Sequence, residues 1–224
     1  MPTWVVTGAS RGIGLAFARV LCRRGERVVG TARRPERADE LRATGARVER
    51  LDISDDASVA EFSRALDRET VDVLVHNAAI GEEGPGIDGL VAEEVERTLN
   101  VDAVGAVRVT RALLPNLRAG KRRTIVALSS GLASLERNTV GGWYAYRMGK
   151  AALNMFLRNV AAELAPERFT CVLLDPGWVK TAMGGPNAPI TPEASVEAML
   201  GVIERLRPSD TGRFLDRHGR DAPW

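Results

Sequence analysis

Tyr146 and Lys150 carry a side-chain pairing suited to moving a proton. They stand four residues apart in Tyr144-Ala145-Tyr146-Arg147-Met148-Gly149-Lys150, a spacing that puts both side chains on one face of a helix. A phenol ordinarily titrates near pH ~10 and is a poor proton donor or base at neutrality. A lysine ammonium beside it favours the phenolate and brings its titration toward a useful range. Tyr144 competes for the role, but only Tyr146 has a lysine four residues on. Because such pairs also occur on ordinary solvated helices, the reading depends on what the rest of the chain builds around this one.

Apolar patterning places strands near 3–7, 27–32, 47–51, 72–76, 122–128, 169–175 and 212–215. Helical patterns fall near 12–24, 35–44, 55–69, 92–118, 144–165 and 192–206. Alternation of strand and helix predicts an α/β fold, a doubly wound parallel sheet of Rossmann type with helices on both faces. Right-handed crossovers put a switch point beside the first strand, and ligands bind beyond the carboxyl ends of such strands. No repeat, low-complexity tract or linker breaks the chain. Residues 1–224 are therefore expected to form one domain, with a cofactor half at about 1–120 and a catalytic and substrate half at about 121–224.

A second motif lies at the other end of the sequence. The apolar run Trp4-Val5-Val6 leads into Thr7-Gly8-Ala9-Ser10-Arg11-Gly12-Ile13-Gly14, then into the amphipathic pattern of Leu15, Ala16, Phe17, Val20 and Leu21, stopping at Gly25. Strand, glycine-rich turn and helix make the dinucleotide-binding arrangement. Gly8 permits the tight turn, Gly12 lets backbone approach a pyrophosphate, and Gly14 allows close helix–strand packing. The amides at the helix start, with Ser10 and Ile13 in the turn, face the phosphates with a partial positive charge.

Composition agrees. A chain of 224 residues, 45% hydrophobic, can bury one substantial core. The net charge of +2 is too small to suggest nucleic acid, and Arg23-Arg24 and Lys121-Arg122-Arg123 read as solvated surface. No run of about 18 apolar residues predicts a membrane span. The N-terminus enters a strand at once, leaving no room for a signal peptide. Cys22 and Cys171 fit reduced, buried thiols. A cytoplasmic protein is expected, with no metal site, nucleic acid or membrane among its partners.

Taken together, these motifs resemble the short-chain dehydrogenase/reductase family, nearly end to end. The glycines follow that family's Gly-x-x-x-Gly-x-Gly spacing, and Asp52-Ile53, Asn77-Ala78-Ala79, Asn100, Ser129-Ser130, Tyr146/Lys150 and Pro176-Gly177-Trp178-Val179-Lys180-Thr181 follow in the family's order. Ser129 through Ser134, Gly141 through Met148, Gly184 through Pro189 and the terminal Pro223-Trp224 resemble the C-factor-like subgroup. The resemblance implies seven strands in the order 3-2-1-4-5-6-7. Two departures stand out: the usual Asn-Asn-Ala-Gly reads His76-Asn77-Ala78-Ala79, and Gly149 replaces the serine or alanine common before the lysine. His76 reads as a strand-end residue rather than a catalyst.

Cofactor choice follows from the second strand, which ends in Arg33-Arg34 with no acid until Glu36. An NAD site usually has an acid there for the ribose hydroxyls, whereas a guanidinium can pair with a 2′-phosphate. Arg11 is a second basic residue that NADP-preferring relatives often carry. NADP(H) is favoured, with NAD(H) possible. The resemblance further implies that Asp52 and Ile53 lie near the adenine and that Asn77 and Ala78 border the ribose. Pro176, Gly177, Val179 and Thr181 belong to the nicotinamide loop. Asp52 also has a simple alternative as an N-cap, a task Ser54 or Asp55 could share.

By the same resemblance, Tyr146 passes a proton to or from the substrate oxygen, and Lys150 assists it and binds the nicotinamide ribose. Ser130 polarises the carbonyl, although Ser129 could take that role. Asn100 would hold a water linking Lys150 to solvent. A small aldehyde, ketone or alcohol is the expected substrate, in a cleft that Leu132, Trp143, Trp178 and Met183 could line. Relatives pair through the helices near 92–118 and 144–165, so a homodimer or homotetramer is expected. Ala103, Val107, Val109 and Leu113 with Leu153, Phe156, Leu157 and Val160 supply the apolar surface, some of which must face the sheet. The alternative is a signalling or regulatory protein of C-factor type that binds cofactor with little or no turnover.

Overall fold

Within the first strand, Trp4 and Val6 point to one face of the sheet and Val5 to the other, all three fully shielded from solvent. That alternation, apolar on both sides, is what a strand between two helical layers requires. The computed structural model describes residues 1–81, 84 and 86–224. Its strands are β1 (Thr3–Val6), β2 (Arg27–Ala32), β3 (Arg47–Arg50), β4 (Val73–His76), β5 (Thr124–Leu128), β6 (Thr170–Asp175) and β7 (Phe214–Asp216). They form one sheet in the order β3-β2-β1-β4-β5-β6-β7, with every neighbouring pair parallel. This is the doubly wound topology expected of the sequence.

Two apolar layers flank the sheet. On one face lie α1 (Gly12–Arg23) and α7 (Pro192–Ile203), which bury Phe17, Leu21, Met199 and Ile203 against Val6, Val126 and Val172. On the other lie α3 (Asp56–Leu66), α5 (Gly105–Ala119) and α6 (Tyr144–Leu164), burying Phe62, Leu113, Leu117, Leu153 and Leu157 against Val5, Ile125 and Leu173. Each fully buried Leu or Phe is worth roughly 1.5–3 kcal/mol. The exposed pairs between α1 and α7, Arg24 with Glu197 and Glu204, belong to a class worth about 0–1 kcal/mol each, so packing holds this layer.

Caps fall where short polar residues precede a helix. Asp55 accepts from the Ala57 amide at 3.1 Å and starts α3, and Thr191 accepts from Ala194 at 3.2 Å ahead of Pro192. Two expected helices are broken. Residues 35–44 divide into a 3₁₀ turn, Pro35–Arg37, and the single turn α2 (Asp39–Arg42). The 92–118 segment divides into α4 (Ala92–Leu99), a π turn (Asn100–Val104) and α5. At the π turn the Gly105 amide bonds back five residues to the Asn100 carbonyl.

The fold also apportions the apolar side chains that the sequence left shared between core and surface. Ala103, Val109, Leu113, Leu153 and Leu157 are buried within the chain, and Phe156 and Val160 are half-buried against the same core. Of the expected contact residues, Val107 is exposed, and it is joined by Val104, Met148 and Met155. Cys22 and Cys171 are free thiols. Among the described residues, no helix is long and apolar enough to cross a membrane.

Candidate active site

Gly8, Gly12, Asp52, Asn77, Ser129, Tyr146, Lys150 and Thr181, from motifs spread along the chain, line one cleft of about 490 Å³ at the carboxyl ends of the strands. Asn100 and Ser130 are not among its lining residues. The turn after β1 forms one wall. Gly8 has a φ of +64°, and a Cβ there would press on the Ala78 backbone at 2.9 Å. Only glycine meets both demands. The turn is tied to the loop after β4. Thr7 Oγ1 accepts from the amides of Asn77 and Ala78 at 3.0 Å each, and Asn77 Nδ2 donates to the Thr7 and Gly8 carbonyls at 2.8 and 3.0 Å. Gly14 lets Asn77 come this close, since a Cβ there would collide with both Nδ2 and the Gly8 carbonyl.

The first turn of α1 opens on this cleft without a side-chain cap, its N-cap Arg11 being exposed and extended. Ser10, Arg11, Gly12 and Ile13 line the opening. Unclaimed helix-start amides beside a glycine turn suit a pyrophosphate. Beyond β2 and β3, Arg33 and Asp52 line the far end with Ile53. Asp52 Oδ1 accepts from the Ser54 amide at 3.0 Å and its hydroxyl at 2.6 Å, while Asp55 rather than Asp52 caps α3. Burial works against the Asp52 charge, but the two Ser54 bonds and the nearby Arg33 and Arg50 hold the carboxyl below its ordinary range. Arg33 is exposed at this end, where the acidic side chains of Glu40 and Asp52 also line the cleft.

At the other end, Tyr146 and Lys150 occupy successive turns of α6 and both line the cleft. The turn entering α6 has three consecutive left-handed residues, Gly141 (φ +69°), Gly142 (φ +71°) and Trp143 (φ +51°). Arg147 braces it, donating from Nε to the Gly142 carbonyl at 3.0 Å and from its two terminal nitrogens to Leu132 and Gly141 at 3.2 Å each. Trp143 thereby meets the Tyr146 ring edge to face, with centroids 5.8 Å apart. Gly81 also packs on the Tyr146 ring, where any Cβ would run into it.

Lys150 Nζ lies 5.7 Å from the Tyr146 ring centroid, donates to the Leu128 carbonyl at 3.1 Å, and faces Asp102 Oδ2 at 3.2 Å. Both members of this ion pair are buried. Burial alone would push the Lys150 ammonium down, but Asp102, with a contribution from Tyr146, raises it above its ordinary value. Asn100 opens the π turn and its Oδ1 accepts from Arg108 Nη1 at 2.8 Å, while Asp102, in the same turn, stands beside Lys150.

A profile described as short chain dehydrogenase matches residues 2–189. The chain belongs to the short-chain dehydrogenase/reductase family. It is 46% identical over 154 residues to the C-signal of Myxococcus xanthus, an alignment covering 69% of this chain and 93% of that one. Among solved structures, the carbonyl reductase Sniffer of D. melanogaster superposes with a TM-score of 0.92 at 30% identity, covering 100% of both chains. An NADPH-bound carbonyl reductase from chicken fatty liver gives a TM-score of 0.92 at 28% identity, covering 100% of this chain and 99% of that one.

The remaining expected residues of this short-chain dehydrogenase/reductase take varied places. Pro176 and Thr181 line the cleft, with Thr181 opposite Gly12. Gly177 (φ +79°) and the buried Val179 shape that loop from behind, Val179 bridging to Ile190. Ser130 Oγ accepts from the Leu132 amide at 3.1 Å and starts a 3₁₀ turn, Gly131–Ala133. Ser129 lines the cleft, but its hydroxyl is committed to Asn154 Oδ1 at 2.5 Å, which leaves Ser130 the freer donor. Met183 lines the cleft, whereas the exposed Trp178 donates to the Gly184 carbonyl at 2.7 Å. Sequence reasoning missed Gly81, Asp102 and Arg147. Their signals, a glycine past the Asn77 loop, an acid two residues after Asn100 and a basic residue beside Tyr146, gain meaning only from contacts across the fold. Among the described residues, no cluster of three or more His, Cys, Asp or Glu side chains is placed to hold a metal ion.

Proposed function

We propose that this protein is an NADPH-dependent reductase of small aldehydes or ketones, with residues 1–224 working as one domain. The observation that carries this reading is one cleft lined both by Tyr146 and Lys150 and by Arg33, beside the uncapped start of α1. Gly8, Gly12 and Gly14 with the α1 amides hold the pyrophosphate, and Arg11 and Arg33 hold the 2′-phosphate. Asp52 and Ile53 border the adenine, and Asn77 and Ala78 the ribose. Pro176 and Thr181, on a loop shaped by Gly177 and Val179, bind the nicotinamide amide. The NADPH bound to the chicken carbonyl reductase supports the choice over NADH.

When bound, the cofactor supplies the hydride, and the chain's residues provide orientation and charge. Tyr146 donates its phenolic proton to the carbonyl oxygen, or accepts one from an alcohol in reverse. Lys150 stabilises the negative charge left on the phenol oxygen and contacts the nicotinamide ribose. Ser130 donates to the carbonyl and polarises it. Free cysteines and the family's habit of pairing through α4, α5 and α6 support a cytoplasmic homodimer or homotetramer.

A second reading, a signalling or regulatory protein that binds cofactor with little or no turnover, is supported by the similarity to the C-signal. Fluorescence titration with NADPH and NADH, followed by oxidation of bound NADPH across a panel of aldehydes and ketones, separates the two. Preferential NADPH binding with turnover is the expected result. Binding without turnover on any carbonyl would favour the regulatory reading.

A further inference from the structure

We propose that Arg217 is a substrate-binding residue that takes a carboxylate, so that the aldehyde or ketone this protein reduces is an oxo acid. The assignment gives the site a substrate class and rests on the reductase reading for the reaction itself.

The sheet register brings Arg217 to the catalytic edge. Leu128 of β5 pairs with Leu174 of β6, and Asp175 of β6 pairs with Asp216 of β7. Ser130 keeps an extended backbone beyond β5. Continued by two residues on one side and one on the other, the registers set Ser130, Pro176 and Arg217 in a single row across three strand ends. Pro176, the middle member, lines the cleft. Ser130 and Arg217 stand on either side of it, about 10 Å apart by the usual strand spacing. The segment that Arg217 begins is fastened to the loop after Ser130. There the Trp224 carbonyl accepts from the Ser134 hydroxyl at 2.9 Å and from the Glu136 amide at 3.1 Å.

The guanidinium lies across Gly177. A Cβ on that glycine would fall 2.6 Å from Arg217 Nη1 and 2.8 Å from Ile190 Cδ1, so these two groups fill the place a side chain would take. Arg217 thus reaches back from β7 over the end of β6, the strand whose Pro176 lines the cleft.

Among the described residues, nothing answers its charge. Arg217 is half-buried, yet it joins none of the ion pairs or side-chain hydrogen bonds there. The acids nearest in sequence are committed elsewhere. Asp216 accepts from the His218 and Arg220 amides at 2.8 and 3.0 Å and pairs with the Arg220 side chain at 2.7 Å. Asp175 Oδ1 accepts from the Gly177 amide at 2.9 Å, and its Oδ2 faces Gly131, on the Ser130 side. The unpartnered polar side-chain atoms that are sealed from solvent belong to Trp4, Glu26 and Asp102, so the Arg217 nitrogens remain open to a ligand.

A shielded cation without a partner is costly, and a guanidinium is a planar fork that a carboxylate meets with two parallel bonds. A carboxylate over Gly177 lies on the order of 5–10 Å from Ser130 along the row. One molecule can then place its carbonyl at Ser130 and Tyr146 and its carboxylate at Arg217.

The test compares para-formylbenzoate with benzaldehyde, and straight-chain ω-oxo acids with the plain aldehydes of equal length, using the full-length protein and NADPH. The unmutated protein should turn over at least one oxo acid with a kcat/KM about tenfold or more above its neutral counterpart. Arg217→Met keeps an apolar stem over Gly177. It should lower that value by roughly 10- to 100-fold, chiefly through KM, and leave the neutral aldehydes within about twofold. Arg217→Lys, with the charge but not the fork, should fall between the two. No preference for any oxo acid in the unmutated protein, or an equal loss on neutral and anionic substrates, would overturn the proposal. If the unmutated protein turns over no carbonyl compound, the reductase reading fails, and calorimetric titration of para-formylbenzoate into the NADP⁺-saturated protein decides on Arg217 alone. Binding weakened at least about tenfold in Arg217→Met upholds the carboxylate site, and equal or undetectable binding removes it.

Discussion

The rings of Trp143 and Tyr146 meet edge to face, with centroids 5.8 Å apart and planes inclined by 65°. Trp143 holds a left-handed backbone that a bulky residue rarely adopts, and Arg147 braces the turn that imposes it. The indole therefore packs the phenol into a fixed direction before any substrate arrives. Tyr146→Phe keeps the ring and this packing while removing the proton. Turnover should fall by roughly 10²–10⁴-fold, with NADPH affinity in a fluorescence titration changed less than about twofold. Retained turnover would show that another group supplies the proton.

Gly81 is a second constraint on the same ring. A methyl group there overlaps the Tyr146 ring edge, so Gly81→Ala must displace the phenol from its place above the cleft. Misplacing a reacting group by about 1 Å can cost on the order of 100-fold in rate. The expected outcome is a fall in kcat of at least about tenfold with little change in the melting temperature. Equal kcat values for the two proteins would mean that the ring has room the structure does not show.

The strands, the glycine turn and the Tyr146/Lys150 pair are legible in the sequence because each is local. Apolar runs such as Val73-Leu74-Val75 and Cys171-Val172-Leu173-Leu174 declare strands buried on both faces. A spacing of four declares a shared helix face. Asp102 is not legible, because the π turn adds a residue to the winding and an ordinary helical wheel then misplaces every side chain after it. Gly81 and Arg147 act through contacts with residues distant in the sequence or through a left-handed turn, neither of which periodicity reports. The break at residues 35–44 is partly written in Pro35, which favours a helix start but supports only one 3₁₀ turn here before Ala38.

Arg33 tests the cofactor end independently of the chemistry. It is exposed at the end of β2, lines the cleft and lies within the field of Asp52. A charge-assisted bond to a phosphate is worth roughly 1.5–3 kcal/mol. Arg33→Ala should then weaken NADPH roughly 10- to 100-fold while NADH changes by less than about twofold. Parallel losses for both cofactors in a binding titration would place the 2′-phosphate elsewhere.

The exposed apolar residues of the π turn, α5 and α6 bear on self-association. Val104, Val107, Met148 and Met155 leave between 37% and 63% of their surface open, on the elements proposed above as the pairing surface. Covering such side chains is favourable by roughly 25 cal/mol per Å², whereas a buried unpaired carboxylate is costly. The unmutated protein should sediment as a dimer or tetramer, and the Val107→Glu/Met155→Glu double variant should shift toward the monomer. An unmutated protein that sediments as a monomer, or a double variant with unchanged mass, would exclude this face as the contact.

His76 ties the fold's acid stability to one ring. Its Nε2 lies 2.8 Å from Thr110 Oγ1 in a buried site, and burial lowers its pKa from 6.5 to about 3. The folded chain therefore keeps the ring neutral in a range where the unfolded chain protonates it. Because the unfolded state binds the extra proton, stability is full above about pH 6.5 and drains away as pH falls toward about 3. The slope approaches a tenfold change in the unfolding equilibrium per pH unit, on the order of 5 kcal/mol across the window. Carboxylates such as Asp72, held below their ordinary range by backbone amides, add their own loss near the acid end. A difference measurement isolates the ring. His76→Asn restores the residue usual in the family and has no proton to gain. Between pH 7 and pH 4.5 its urea midpoint should fall distinctly less than that of the unmutated protein. Equal falls would mean that the imidazole reaches solvent or a counter-charge in the folded state.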